Sequence, residues 1–134
     1  MKVVLDSSVL IAAAISRSGV CVQLLEDVIA QHELAMSDYI AEEVSRKLRE
    51  KFHFPEKEIR MLLRFLRSVS LMVVPAALPS GICRDPTDLP VLGTAVAAHA
   101  ACLVTVDKDL LAIGRHAKVV IIAPRRFWSL APDI

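Results

Sequence analysis

The chain has 134 residues, 54% of them apolar but only 4% aromatic, with a formal net charge of +1 at pH 7 and three cysteines. That length suits one domain, residues 1–134, around a mostly aliphatic core, and so much apolar content excludes a disordered chain. Near-neutrality excludes a general electrostatic grip on nucleic acid, so such a partner would need a local basic face. Cys21, Cys83 and Cys102 are widely spaced, which excludes a disulfide frame or cysteine zinc site and fits a reducing compartment, the cytoplasm.

Val3, Val4 and Leu5 form a short apolar run of the kind that makes an interior parallel strand, and Asp6 ends it. Ser7 and Ser8 then offer oxygens to the orphan amides of a helix continuing through Val9, Leu10 and Ile11. Asp6 therefore stands either as a simple cap or as an acid at the edge where open α/β sheets build sites. Asp6, Ser7 and Ser8 also interrupt the apolar stretch that a signal peptide would need, and no segment approaches the roughly 20 apolar residues of a membrane span.

Gly19 opens a second helix with Val22, Leu25, Val28 and Ile29 at helical spacing, and His32 to Met36 reads as the second strand. Ser37 and Asp38 cap a third helix whose Ile40, Val44 and Leu48 share a face. At 100° per residue, Glu42 lies about 160° from the centre of that stripe and Glu43 about 100°. Glu43 thus borders the buried face while Glu42 points to water.

Pro55 starts a fourth helix with Glu56 and Glu58 at its positive end and Ile59, Leu62, Leu63 and Leu66 on its apolar face. Arg60, Arg64 and Arg67 run beside that face, and Arg46, Lys47 and Arg49 add charge to the helix before it. This could be a track for a phosphate backbone, with Arg46, Arg60 and Arg64 as RNA contacts, or simply a solvated face. Val69 to Val74 reads as the third strand, and Pro75, Pro79 and Gly81 mark an irregular connection.

Cys83-Arg84-Asp85-Pro86-Thr87-Asp88 leads into an alanine-rich, nearly uncharged helix, Leu89 to Ala100, that must be buried; Pro90 is tolerated in its first turn. Leu103 and Val104 then run into Thr105-Val106-Asp107-Lys108-Asp109, a second apolar strand ending in acid. Val119 to Ile122 supplies the last strand, Pro124 stops it, and Arg125 to Leu130 can close with a turn of helix. The four histidines show no metal-ligand spacing.

Asp6, Glu43, Asp88 and Asp107 thus lie near strand-to-helix transitions or buried helical faces without a matching set of bases. Unit charges 4 Å apart repel by about 4 kcal/mol at an effective dielectric near 20, so a convergent cluster must protonate or take a cation. Oxygen ligands suit Mg²⁺ or Mn²⁺, which can activate water and neutralise a phosphoryl oxygen. That chemistry hydrolyses phosphodiesters without a histidine or serine nucleophile.

VVLDSSVLIAAA, SDYIAEEVSRKL, RDPTDLPVLGTA and LVTVDKDLL, in this order, resemble the four acidic blocks of PIN-domain ribonucleases, particularly the toxins of toxin–antitoxin pairs. The resemblance covers nearly the whole chain. It implies a three-layer α/β/α fold with a central parallel sheet in the order 3-2-1-4-5, so that the first and fourth strands are neighbours. By position it implies catalytic Asp6, Glu43, Asp88 and Asp107, with Asp6, Asp88 and Asp107 on Mg²⁺ or Mn²⁺, and Ser8, Thr105, Asp85 and Asp109 in support. Relatives usually continue the RDP motif with further acids, whereas Leu89 and Pro90 follow Asp88 here, which leaves open whether Asp85 or Asp88 faces the metal. The expected partners are an RNA substrate, a cognate antitoxin and further copies of the chain in a homodimer or higher homo-oligomer, with no membrane. Two alternatives carry different features. A PIN fold kept only for RNA or protein binding would lack an acid, and a Mg²⁺-binding phospho-acceptor domain would pair acids after the first strand and place a lysine after the last.

Overall fold

The structure, a computed structural model, describes residues 1–16 and 18–130; the expected domain end at residue 134 lies outside the described residues. Its centre is β1 (Lys2–Leu5), whose Val3, Val4 and Leu5 are buried, so both faces of the strand are covered. The chain continues through α1 (Ser7–Ile15), α2 (Val20–Gln31), β2 (Glu33–Met36), α3 (Asp38–Glu50), α4 (Glu56–Val69) and β3 (Ser70–Met72). An irregular connection then leads to a 3-10 turn (Pro86–Asp88), α5 (Leu89–Ala97), β4 (Cys102–Val104), α6 (Lys108–Ile113), β5 (Arg115–His116) and β6 (Val119–Ile122). A 3-10 turn (Pro124–Arg126) and α7 (Phe127–Leu130) close it.

The sheet runs β3-β2-β1-β4-β6-β5. Its first five strands are parallel, in the expected order, while β5 adds an antiparallel edge to β6. Right-handed returns between parallel neighbours place α1 to α4 over one face and α5 over the other. α1 packs on α2 and α3, and α5 packs on β1, β2 and β4. The chain order reverses between β1 and β4, where Asp6 N donates to Val104 O at 2.9 Å. This is the switch point at which α/β sheets open a crevice.

Three local expectations need correction. The second strand starts at Glu33, because His32 caps α2 and donates its amide to Val28 O. The third is only Ser70–Met72, since Val69 completes α4 and the ladder ends as Pro75, which has no N–H, approaches. At α1 the cap is Asp6 itself, whose Oδ1 accepts from Ser7 N at 2.7 Å. The two serine hydroxyls are thereby released to the site.

Candidate active site

Asp6, at the end of β1, is 5% exposed, and its two oxygens do different work. Oδ1 holds the first amide of α1, while Oδ2 accepts from Thr105 Oγ1 at 2.7 Å and Ser8 Oγ at 3.0 Å. Thr105, fully buried after β4, also accepts from Asp107 N at 2.9 Å, so one hydroxyl ties the two strand ends together. Asp6 therefore caps α1 with one oxygen and ties α1 to the end of β4 with the other. Burial pushes its carboxyl above the ordinary range, and Glu43 adds to the rise; the bonds from Thr105 and Ser8 oppose it.

Glu43 reaches in from α3 with its side chain 15% exposed, and Ser7 Oγ donates to its Oε1. Glu42 is exposed, as the helical phase requires. Lys47, one turn beyond Glu43, brings Nζ to 3.9 Å from the same Oε1. Lys47 is the one cation among the residues lining this cleft, a concavity of about 250 Å³ walled by Asp6, Glu43, Asp85, Asp88 and Asp107.

Asp85 and Asp88 differ in what each touches. Asp85 is exposed and caps the 3-10 turn, its Oδ1 accepting from Thr87 N at 3.0 Å and Thr87 Oγ1 at 2.8 Å, which holds its carboxyl below the usual range. Asp88 is 8% exposed, and its buried Oδ2 has no hydrogen-bond partner among the described residues. Burial first, then the charges of Asp107, Asp85, Asp6 and Asp109, push Asp88 up to about 7.

Carboxylate oxygens of Asp88, Asp107 and Asp109 lie within 4.8 Å of one another. Asp107 caps α6, accepting from Asp109 N at 2.8 Å, and this turn swings Asp109 back toward Asp88. Asp109, read from sequence as a flanking acid, is thus one of the three that converge. Asp6 faces the same cleft with its oxygens already engaged. Three oxygen donors, one of them an orphaned buried carboxylate atom, fit a hard divalent cation better than any neutral arrangement.

Ser7 and Lys47 were not singled out by sequence reasoning. Both looked ordinary there, a cap serine and a charge on a helix. Only the packing of α1 against α3 brings them to Glu43. Arg46, Arg60 and Arg64 are exposed and line no part of the acid cleft; Arg46 borders the grooves on either side of α3.

The profile of the PIN domain family matches residues 2–109, from β1 through the last converging acid. The chain belongs to the PIN domain family. Solved structures agree on the fold. A chain in the crystal structure of VapBC2 from Rickettsia felis, bound to a DNA fragment from their promoter, is 14% identical with a TM-score of 0.62, covering 90% of this chain and 97% of that one. A chain of VapBC-1 from nontypeable Haemophilus influenzae is 17% identical with a TM-score of 0.62, covering 93% of this chain and 99% of that one. No curated protein sequence matches the chain. Among the described residues of this PIN domain, no single helix is long and apolar enough to cross a membrane.

The raised pKa of Asp88 predicts how the metal-free PIN domain responds to pH. Between the ordinary aspartate value of 3.8 and about 7, the folded protein binds this proton more tightly than the unfolded chain. The Asp88 contribution should therefore stabilise the fold increasingly as pH falls from about 7 to about 5. Thermal melts in EDTA across that range check it, and a melting temperature lower at pH 5.5 than at 7.5 would contradict it.

Proposed function

We propose that this PIN domain is a divalent-metal-dependent endoribonuclease, and the toxin of a toxin–antitoxin pair acting in the cytoplasm. The convergence of Asp88, Asp107 and Asp109, with Asp6 and Glu43 lining the same cleft, carries the reading. The fold shared with the VapBC chains and the motif resemblance support the toxin assignment, and with it an antitoxin partner; a homodimer or higher homo-oligomer follows from the motif resemblance alone.

Asp88, Asp107 and Asp109 would hold Mg²⁺ or Mn²⁺, which would neutralise the cluster and stabilise negative charge on a phosphodiester. Asp6 keeps β1, α1 and β4 in register around the cleft through Ser7 N, Ser8 and Thr105. Glu43 Oε1 is held by Ser7, and Oε2 makes no hydrogen bond among the described residues. That oxygen can take the proton from a water attacking phosphorus. Lys47 offsets the negative field that would otherwise repel the RNA.

Wild type should cleave a labelled RNA in Mn²⁺ and stop in EDTA, and Asp107→Asn should be slower by at least about a hundredfold, roughly 3 kcal/mol of transition-state stabilisation. Cleavage that survives EDTA, or equal rates for variant and wild type, would sink the assignment. The two glutamates of α3 give a finer test. Glutamine retains length and a hydrogen-bonding oxygen but cannot take a proton. Glu43→Gln should lose at least about tenfold in single-turnover cleavage, about 1.4 kcal/mol, while Glu42→Gln stays near wild type. The opposite ranking would remove Glu43 from the chemistry.

A further inference from the structure

Beside the acid cleft, a groove of about 470 Å³ runs between α1 and α3. Ile11, Ile15 and Phe52 give it an apolar lining, with Ile15 47% exposed. Arg46, Lys47 and Lys51 line it as well, against the single acid Glu50. Ser8 and Lys47 belong to the walls of both hollows, so the groove opens into the cleft at these two side chains.

We propose that this groove receives single-stranded RNA, with bases against Ile15 and Phe52 and phosphates on Lys51 and Lys47, and delivers the strand to the acids. The identity of the polymer rests on the ribonuclease reading above; the path rests on the groove. An acid cleft repels a polyanion, so the approach needs cations, and this groove places them on the way in. Lys51 makes no ion pair among the described residues and lies over the Phe52 ring, 5.6 Å from its centroid. Lys47 has its side chain 40% exposed beside Glu43. A compact ammonium on a flexible stem can stay near that carboxylate and still meet a passing phosphate.

The groove on the other side of α3, also about 470 Å³, lacks this balance. Glu42, Glu43 and Glu50 line it, and two of its arginines, Arg49 and Arg67, are held by Glu56 and Asp38. An apolar floor also selects the form of the RNA. Unpaired bases can lay a face on Ile15 and Phe52, as single-strand binders lay bases on apolar and aromatic platforms, whereas a duplex keeps its bases stacked inside.

The test is fluorescence anisotropy in EDTA, where the wild-type protein should bind a labelled single-stranded RNA of roughly 12 nucleotides, within the usual site size. Lys51→Ala and Ile15→Glu should each weaken binding at least about fivefold, and the salt slope of Lys51→Ala should fall by about 0.7. Lys57→Ala, an exposed change on α4, should bind as wild type. Both groove positions are exposed, and circular dichroism confirms that each variant is folded.

No single-strand binding by wild type, tighter binding of a duplex, or unchanged affinity in both groove variants would overturn the proposal. The last result would leave the groove to a protein segment. Mn²⁺-dependent cleavage is scored on the same preparations. Wild type that cleaves while the groove variants bind normally overturns the path alone; groove-dependent binding without cleavage overturns the nuclease reading alone.

Discussion

Asp88→Asn is expected to yield a protein that is more stable without metal and strongly impaired as a nuclease. Above the value of about 7 to which it is pushed, the wild-type carboxylate carries its charge while buried at 8% exposure, without a partner for Oδ2 among the described residues and repelled by Asp107 and its neighbours. Asparagine has the same shape and no charge, so folding no longer opposes that repulsion. A gain of about 1 kcal/mol is expected, roughly 4 °C in melting temperature for a domain of this size. Cleavage should fall by at least about a hundredfold, because one of the three converging carboxylates becomes a neutral amide, a weaker ligand for a hard cation. Mn²⁺ should then reverse the stability ranking, since it stabilises only the protein that binds it. Parallel melts with and without Mn²⁺ decide the matter: a variant less stable than wild type in EDTA, or equally stabilised by Mn²⁺, would mean that Asp88 is not held against its own charge.

Gly93→Ala should be strongly destabilising, although alanine is the better helix former by about 1 kcal/mol. Gly93 sits within α5, and a Cβ there would lie 2.4 Å from Ala76 O. The atom in the way is backbone, and Ala76 N is already bonded to Gly93 O at 3.0 Å, so neither chain can retreat without breaking that contact. A loss of about 2–3 kcal/mol is expected, roughly 10 °C in melting temperature. Asp88 stands at the N-cap position of α5, so the displaced helix should also weaken Mn²⁺ binding. An increase in melting temperature for Gly93→Ala would show that the connection after β3 does not cross α5 at this point.

These two residues also show what could be read in advance. Asp88 was legible only in part: it and Asp85 both stood at the head of a helix too apolar to be exposed, and nothing in the sequence chose between them. Gly93 was not, because its partner Ala76 is 17 residues away in an irregular connection with no pattern of its own. Glu43 and Glu42 were separated correctly by helical phase, since α3 is long and its apolar stripe unbroken. β1 and β4 were legible for the related reason that buried parallel strands are continuous apolar runs. β5 left no such trace: it is two polar residues, paired with β6 through a turn at Ala117, whose φ is +52°.

Within the site, capping chemistry was visible but not its allocation. Ser7, Ser8 and Asp6 are all competent caps, and which oxygen meets which amide depends on Glu43 and Thr105 arriving from other elements. Asp109 joined Asp88 and Asp107 for a similar reason. Its position follows from the turn that Asp107 caps, a geometry that a list of acids does not contain.

The rim of the sheet has a consequence for how the protein behaves in a crowded solution. At one end β5 presents Arg115 and His116, a two-residue strand too short and too polar to template another chain. At the other end β3 is three residues long, with Leu71 39% exposed, Val74 84% exposed just beyond it, and Pro75 next. Unwanted strand addition, the first step toward aggregates and swapped assemblies, therefore has one narrow opening among the described residues, and a proline marks its end.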